Sequence, residues 1–77
     1  MNELMEKIRD KLPAICKMRD GTEGIVVRYV RGFELYPFKG YVFLSDTTLS
    51  NAQYSWSENG QKSIHCLSPK DIVEFIK

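Results

Sequence analysis

The chain has little of what most reaction chemistry needs. It carries one histidine and two cysteines in 77 residues. It has no Cys-x-x-Cys spacing, so a zinc centre with four ligands is not expected. His65 and Cys66 are adjacent, and on a strand adjacent side chains point to opposite faces, so the two do not jointly face one ion. Two cysteines are too few for a disulfide framework. With no basic-then-apolar leader at the start, Cys16 and Cys66 are expected as free thiols, although they would bridge if their strands were neighbours. No glycine-rich phosphate loop is present. The excess of charge is only +1, from 11 basic and 10 acidic residues. That balance excludes an acidic solvating tail and a basic nucleic-acid arm, and it makes nucleic acid an unlikely partner because phosphate contacts dominate such binding. No apolar run approaches the roughly 20 residues of a membrane span. The expectation is a single cytoplasmic domain over residues 1–77, with no cofactor, no metal, no membrane and no enzymatic activity.

What is present is apolar and aromatic. Nine residues are Tyr, Phe or Trp, many for so short a chain. Asn2 caps a predicted helix in which Leu4, Met5, Ile8 and Leu12 recur at helical spacing, and Pro13 stops it. Strands are predicted over Ala14 to Met18, Glu23 to Arg31, Phe38 to Leu44, Ala52 to Ser57 and Lys62 to Leu67. Strict alternation in the second of these puts Ile25, Val27 and Tyr29 on one face and Val26, Arg28 and Val30 on the other. Arg19-Asp20-Gly21 reads as a tight turn, Gly32 to Pro37 as a connection, and residues 45–51 as turn-rich. Asn59-Gly60 reads as a two-residue type I′ hairpin. Ser68-Pro69-Lys70-Asp71 has the form of a helix start, with serine as cap, proline at the first position and an acid three residues on. A short apolar C-terminal helix through Ile72, Val73, Phe75 and Ile76 is therefore predicted.

The fold class that follows is α+β: an N-terminal helix, a twisted antiparallel sheet of about five strands and a short C-terminal helix. Two central strands are apolar on both faces, whereas helices cover only one. The other face is left for a second copy of the chain, for a ligand, or for a curl of the sheet on itself.

The chemistry-bearing residues are sparse. His65 has no identifiable orienting carboxylate or nucleophile nearby in sequence, and reads as structural or surface. Cys16 and Cys66 sit among apolar neighbours and read as small buried hydrophobes. Asp20 and Asp46 read as turn residues and Asp71 as a cap. The basic residues stand next to aromatics. An anionic, nucleotide-like ligand would be held by Arg28 or Arg31, with Lys39 nearby, and stacked on Tyr36 or Trp56, because guanidinium matches phosphate oxygens in pairs and rings stack bases. The structural reading of the same residues is that the charges guard strand edges and the aromatics fill core.

The order of local signals resembles a widespread group of small phage and prophage proteins. The residues that carry the resemblance are Arg19-Asp20-Gly21, Tyr36-Pro37 with Gly40-Tyr41-Val42, Tyr54-Ser55-Trp56 with Glu58-Asn59-Gly60, and Ser68-Pro69-Lys70-Asp71-Ile72-Val73. They span residues 17–73. The resemblance implies a phage-encoded, β-rich anti-defence protein in the bacterial cytoplasm. Two modes suit this size. One is a homo-oligomeric sponge that sequesters a cyclic nucleotide immune signal between subunits, as anti-CBASS proteins do. The other is a protein-binding inhibitor of a host defence complex, as many anti-CRISPR proteins are. The sponge is the leading expectation, since it uses the aromatics interleaved with Arg and Lys, and the protein-binding inhibitor is the alternative. The motif residues are turns, packing aromatics and caps, so no binding site is carried over with them.

Overall fold

A computed structural model describes residues 1–32 and 34–76. One helix, α1 (Glu3–Arg9), is followed by five strands: β1 (Ala14–Met18), β2 (Glu23–Tyr29), β3 (Phe38–Val42), β4 (Tyr54–Trp56) and β5 (Ile72–Phe75). The strands form one antiparallel sheet in the order β4-β3-β2-β1-β5. The first four make a meander, and the last returns across the fold to pair with the first.

Asn2 caps α1 as the sequence predicts. Its side-chain oxygen accepts the Met5 amide at 2.9 Å, and Glu3 and Lys7 stand 3.6 Å apart one turn along. The helix ends at Arg9, before Leu12, and buries Met5 and Ile8. Two turns share one build. Met18 N–H donates to the Thr22 carbonyl and Gly21 N–H to the Met18 carbonyl; Ser57 N–H donates to the Gln61 carbonyl and Gly60 N–H to the Ser57 carbonyl. In each, a three-residue loop ends on a glycine at positive φ, +89° for Gly21 and +80° for Gly60. The type I′ expectation for Asn59-Gly60 is thereby corrected: no described residue other than glycine has positive φ, and type I′ would need it at Asn59 too.

The largest departures lie after β4. The predicted strand over Lys62 to Leu67 is a bent connection. Its amides are taken from outside any ladder: Lys62 N–H by the Asp71 carboxylate and Ile64 N–H by the Tyr36 hydroxyl. The predicted C-terminal helix is absent, and the same residues are β5. The helix-start signal is nevertheless used. Asp71 Oδ2 accepts the Ser68 amide as in a capping box, while Ser68 Oγ takes the Lys70 amide, one position earlier than the box, and the Asp71 amide goes to the Ser68 carbonyl. It yields a single turn, after which the β-branched Ile72 and Val73 go extended and pair with β1.

Bulges correct the predicted alternation. Val26 pairs with Gly40 and Arg28 with Lys39, so Val27 is an extra residue. Beyond it, Tyr29 shares the core side with Val26 and packs its ring edge-on to Phe38, centroids 4.8 Å apart. Val73 is likewise extra between the Met18–Ile72 and Lys17–Glu74 pairs. Bulges sharpen twist, and this sheet curls until its ends meet: Ile72 N–H donates to the Gly60 carbonyl, and Trp56 Nε1 donates to the Lys70 carbonyl, both at 2.9 Å. Inside the curl lie Ala14, Cys16, Met18, Val26, Phe38, Val42, Trp56 and Ile72, with Met5 and Ile8 of α1.

The two turn glycines separate backbone strain from packing. A Cβ on Gly21 would meet nothing within 4 Å, whereas on Gly60 it would lie 3.0 Å from Met5 Sδ and 3.4 Å from Ile72 Cβ. Gly21→Ala is expected to cost about 1 kcal/mol through the left-handed backbone alone. Gly60→Ala is expected to cost clearly more, because the methyl also presses α1 away from β5. Chemical denaturation of both variants measures the difference, and equal midpoints would show that α1 does not pack on this turn.

Candidate functional site

Two regions hold side chains grouped so that they could act on something else: the seam between the two turn motifs, and the outer face of the sheet, whose apolar residues are half-buried. The most exposed large apolar side chains, Leu35, Leu44 and Leu67, are scattered over the connections.

The seam is built around Asp71, whose side chain is almost wholly buried. It accepts the Lys62 amide at 2.9 Å, the Ser68 amide at 3.1 Å and Arg19 Nη2 at 3.3 Å. Burial alone would push this carboxyl up; the two amides and the guanidinium outweigh it and hold it below the usual carboxylate range. Alongside, Arg19 N–H donates to the Asp71 carbonyl and Asp20 N–H to the Pro69 carbonyl. Lys70 Nζ donates to Asp20 at 2.6 Å and to Thr22 Oγ1 at 3.0 Å. The Lys70 ammonium, with the Thr22 amide and hydroxyl, brings Asp20 down to about 2. Most polar groups of this seam are spent on other parts of it, so it joins the β1–β2 turn to the entry of β5. Arg19 remains half exposed beside a shallow open hollow of about 310 Å³ lined by Arg19, Asp20, Leu67, Ser68 and Pro69.

The outer face is different. Core-facing residues alternate with outward ones, and the register lines the outward residues up in rows across the strands. The central row is Ile15, Ile25 and Tyr41, paired across β1, β2 and β3, and Ile76 N–H bonds to the Ile15 carbonyl to extend it past β5. One flanking row is Glu74, Lys17 and Glu23, with Phe43 beyond, whose amide bonds to the Glu23 carbonyl. The other is Arg28, Lys39 and Ser55. The face therefore has an apolar spine, an acid-rich flank and a basic flank. Next to the acidic flank is an open hollow of about 420 Å³ lined by Ile15, Thr22, Glu23, Phe43, Ser45 and Asp46.

The residues expected to bind an anion do not converge. Arg28 and Lys39 are neighbours, and Lys39 Nζ is held by Glu34 Oε1 at 3.1 Å and Ser55 Oγ at 3.3 Å. Arg31 is exposed in the connection between β2 and β3, where Phe33 lies outside the described residues. Tyr36, in the same connection, binds the Ile64 amide through its hydroxyl. Trp56 is a correction: its ring is wholly buried and its N–H is satisfied by Lys70, so it has no face for a base to stack on. Cys16 is buried, and burial pushes its thiol up to about 12, a poor nucleophile. Cys66, expected to be buried, is exposed, and both cysteines are free. His65 is exposed in the β4–β5 connection. Among the described residues no three His, Cys, Asp or Glu side chains stand close enough to hold a metal ion, and no described helix is long and apolar enough to cross a membrane.

Residue typing by charge and aromaticity overlooked Ile15, Ile25, Tyr41 and Glu23. The signal that finds them is apolar residues on both phases of the β2 and β3 alternation. Set beside known proteins, the chain matches no family model, no curated protein and no solved structure.

The depressed carboxyls make the seam acid-sensitive. Both Asp20 and Asp71 titrate lower in the folded chain than in the unfolded one, so each contributes stability that is present above the ordinary carboxylate range and is lost as pH falls through its folded value, about 2 for Asp20. Asp71→Asn puts an amide donor where a backbone donor already points, and is expected to destabilise by roughly 1–3 kcal/mol at neutral pH. It should also flatten the decline in unfolding midpoint as pH falls below the ordinary carboxylate range. A variant with the wild-type acid profile would show that Asp71 does not govern the seam.

Proposed function

We propose that the protein acts by binding another protein, without turnover, and that its working surface is the outer face of the sheet. The observation that carries this reading is the apolar row Ile15, Ile25 and Tyr41, turned away from the core and flanked by charges of opposite sign. A core-filling pattern does not require large apolar residues there, and charged rims around an apolar centre are the build of a protein interface. Taken with the resemblance to small phage proteins, the reading favours the protein-binding mode over the nucleotide sponge. The sponge reading offered Tyr36 or Trp56 as a stacking face beside Arg28, Arg31 and Lys39; Trp56 is core, the Tyr36 hydroxyl is held by the Ile64 amide, and the hollow on the outer face is lined by Glu23 and Asp46. One observation still favours anion binding, the exposed Arg28 opposite Lys39 on the neighbouring strand, and it is tested alongside.

A photo-crosslinking amino acid at Tyr41, compared with one at Asp10 on the exposed side of α1, separates the readings in bacteria expressing the chain. The Tyr41 probe should form protein adducts, the second copy of the chain included, and the Asp10 probe should not. Calorimetric titration with cyclic dinucleotides should give no heat. Binding heat that disappears in Arg28→Lys would restore the sponge reading, and absence of any Tyr41 adduct would remove the protein-binding one.

A further inference from the structure

Resting on the reading of the outer face as a protein-binding surface, we propose that its occupant is a second copy of the chain: the faces stack in a two-fold dimer, and Arg28 of each copy enters the acidic hollow at Glu23 and Asp46 of the other.

The argument is charge and symmetry. A face that pairs with itself must be self-complementary about a dyad lying in the interface. Two directions suit a sheet. With the dyad along the strands, each flank meets its own kind, acid on acid and base on base. With the dyad along the row Ile15–Ile25–Tyr41, the spine of one copy lies on the spine of the other, and each acidic flank lies over a basic one. Glu23 and Arg28 sit on the same strand, two positions to one side of Ile25 and, with the Val27 bulge absorbing one residue, the equivalent distance to the other. The rotation therefore sets Glu23 against the second copy's Arg28, and does so twice. It also lays Phe43 over the second copy's Lys39, whose ammonium stays with Glu34 and Ser55, so the ring meets the lysine's alkyl stem. Strands of the two sheets then run antiparallel and nearly aligned, the arrangement of β-sandwiches, where sheets cross at about 30°.

Two features of the single chain fit this arrangement. Arg28 and Lys39 are directly opposite on neighbouring strands, a placement of like charges that weakens a strand pair. Glu34 partners Lys39, and in the dimer the acidic hollow partners Arg28. The hollow itself is open, apolar along Ile15 and Phe43 and acidic at Glu23 and Asp46, which suits a guanidinium on an alkyl stem.

Sedimentation equilibrium of the full chain is expected to give twice the 8.9 kDa chain mass at roughly 100 µM, a concentration that reveals even weak dimers. Ile25→Lys, which places two ammonium groups against each other near the dyad, should be a folded monomer. The decisive variants exchange the flank charges. Glu23→Arg alone and Arg28→Glu alone each lose two symmetric pairs, so the dimer dissociation constant should rise roughly tenfold. The double exchange should restore it. Arg28→Glu is informative because it removes the clash with Lys39: the monomer should unfold at a higher denaturant concentration while the dimer weakens, opposite signs that a merely structural residue would not give. A wild-type chain that stays monomeric overturns the proposal, even if Tyr41 crosslinks to some other protein and the binding-face reading stands. A dimer that the double exchange fails to restore overturns the dyad and the Glu23–Arg28 contact.

Discussion

The return of β5 to β1 is the step on which the rest of the structure depends, and a buried carboxylate holds it. Strands β1 to β4 follow one another through local connections and pair with their sequence neighbours. β5 pairs with a strand more than fifty residues earlier, and the chain must cross the open end of the curl to reach it. Asp71 makes the crossing specific. Its carboxylate gathers the Lys62 and Ser68 amides and the Arg19 guanidinium, while its own carbonyl accepts the Arg19 amide. Once Asp71 is placed, Ile72 can only enter the core beside Met18, and the Lys70 carbonyl meets the Trp56 indole.

That closure also decides where α1 goes. Pairing across the β4–β5 gap consists of the single backbone bond from Ile72 to Gly60, so the gap is sealed by side chains instead. Met5 reaches the bare backbone of Gly60, Ile8 joins the same core, and Asn2 Nδ2 donates to the Asn59 carbonyl. The helix thus plugs the barrel-like curl and does not lie across a sheet face. Its position leaves the outer face without cover from the helix, so apolar residues on the second phase of the alternation stay outside the core.

The sequence was legible where a residue's local conformation and its tertiary role agree. The Asn2 cap, β1, the core of β2 and β3, and the glycine turns are of this kind. It misled where a correct local signal was overruled downstream. Ser68 to Asp71 does form capping bonds of the kind that open a helix, but the β-branched Ile72 and Val73 that follow are extended in β5, which pairs with β1. The strand predicted over Lys62 to Leu67 failed for the complementary reason: its amides are claimed by Asp71 and Tyr36, two side chains remote in sequence.

The same limit explains the candidate site. Strict alternation assigned Arg28 to the face of Val26, and one extra residue at Val27 moves it to the opposite one, beside Lys39 and in line with Ile25. A bulge is set by the partner strand and by the twist the sheet needs, so no period within β2 predicts it. Trp56 illustrates the converse. It lies on a three-residue strand, and the ring's fate rests on the β4–β5 connection, whose Lys70 carbonyl accepts the indole N–H. Charge and aromaticity along the chain therefore identified residues able to bind an anion, while register across the sheet determined which of them share a surface. Read by register, the shared surface is an apolar spine between opposite charges on the outside of a curled sheet, and that open arrangement suits a protein surface better than the enclosed pocket a small ligand takes.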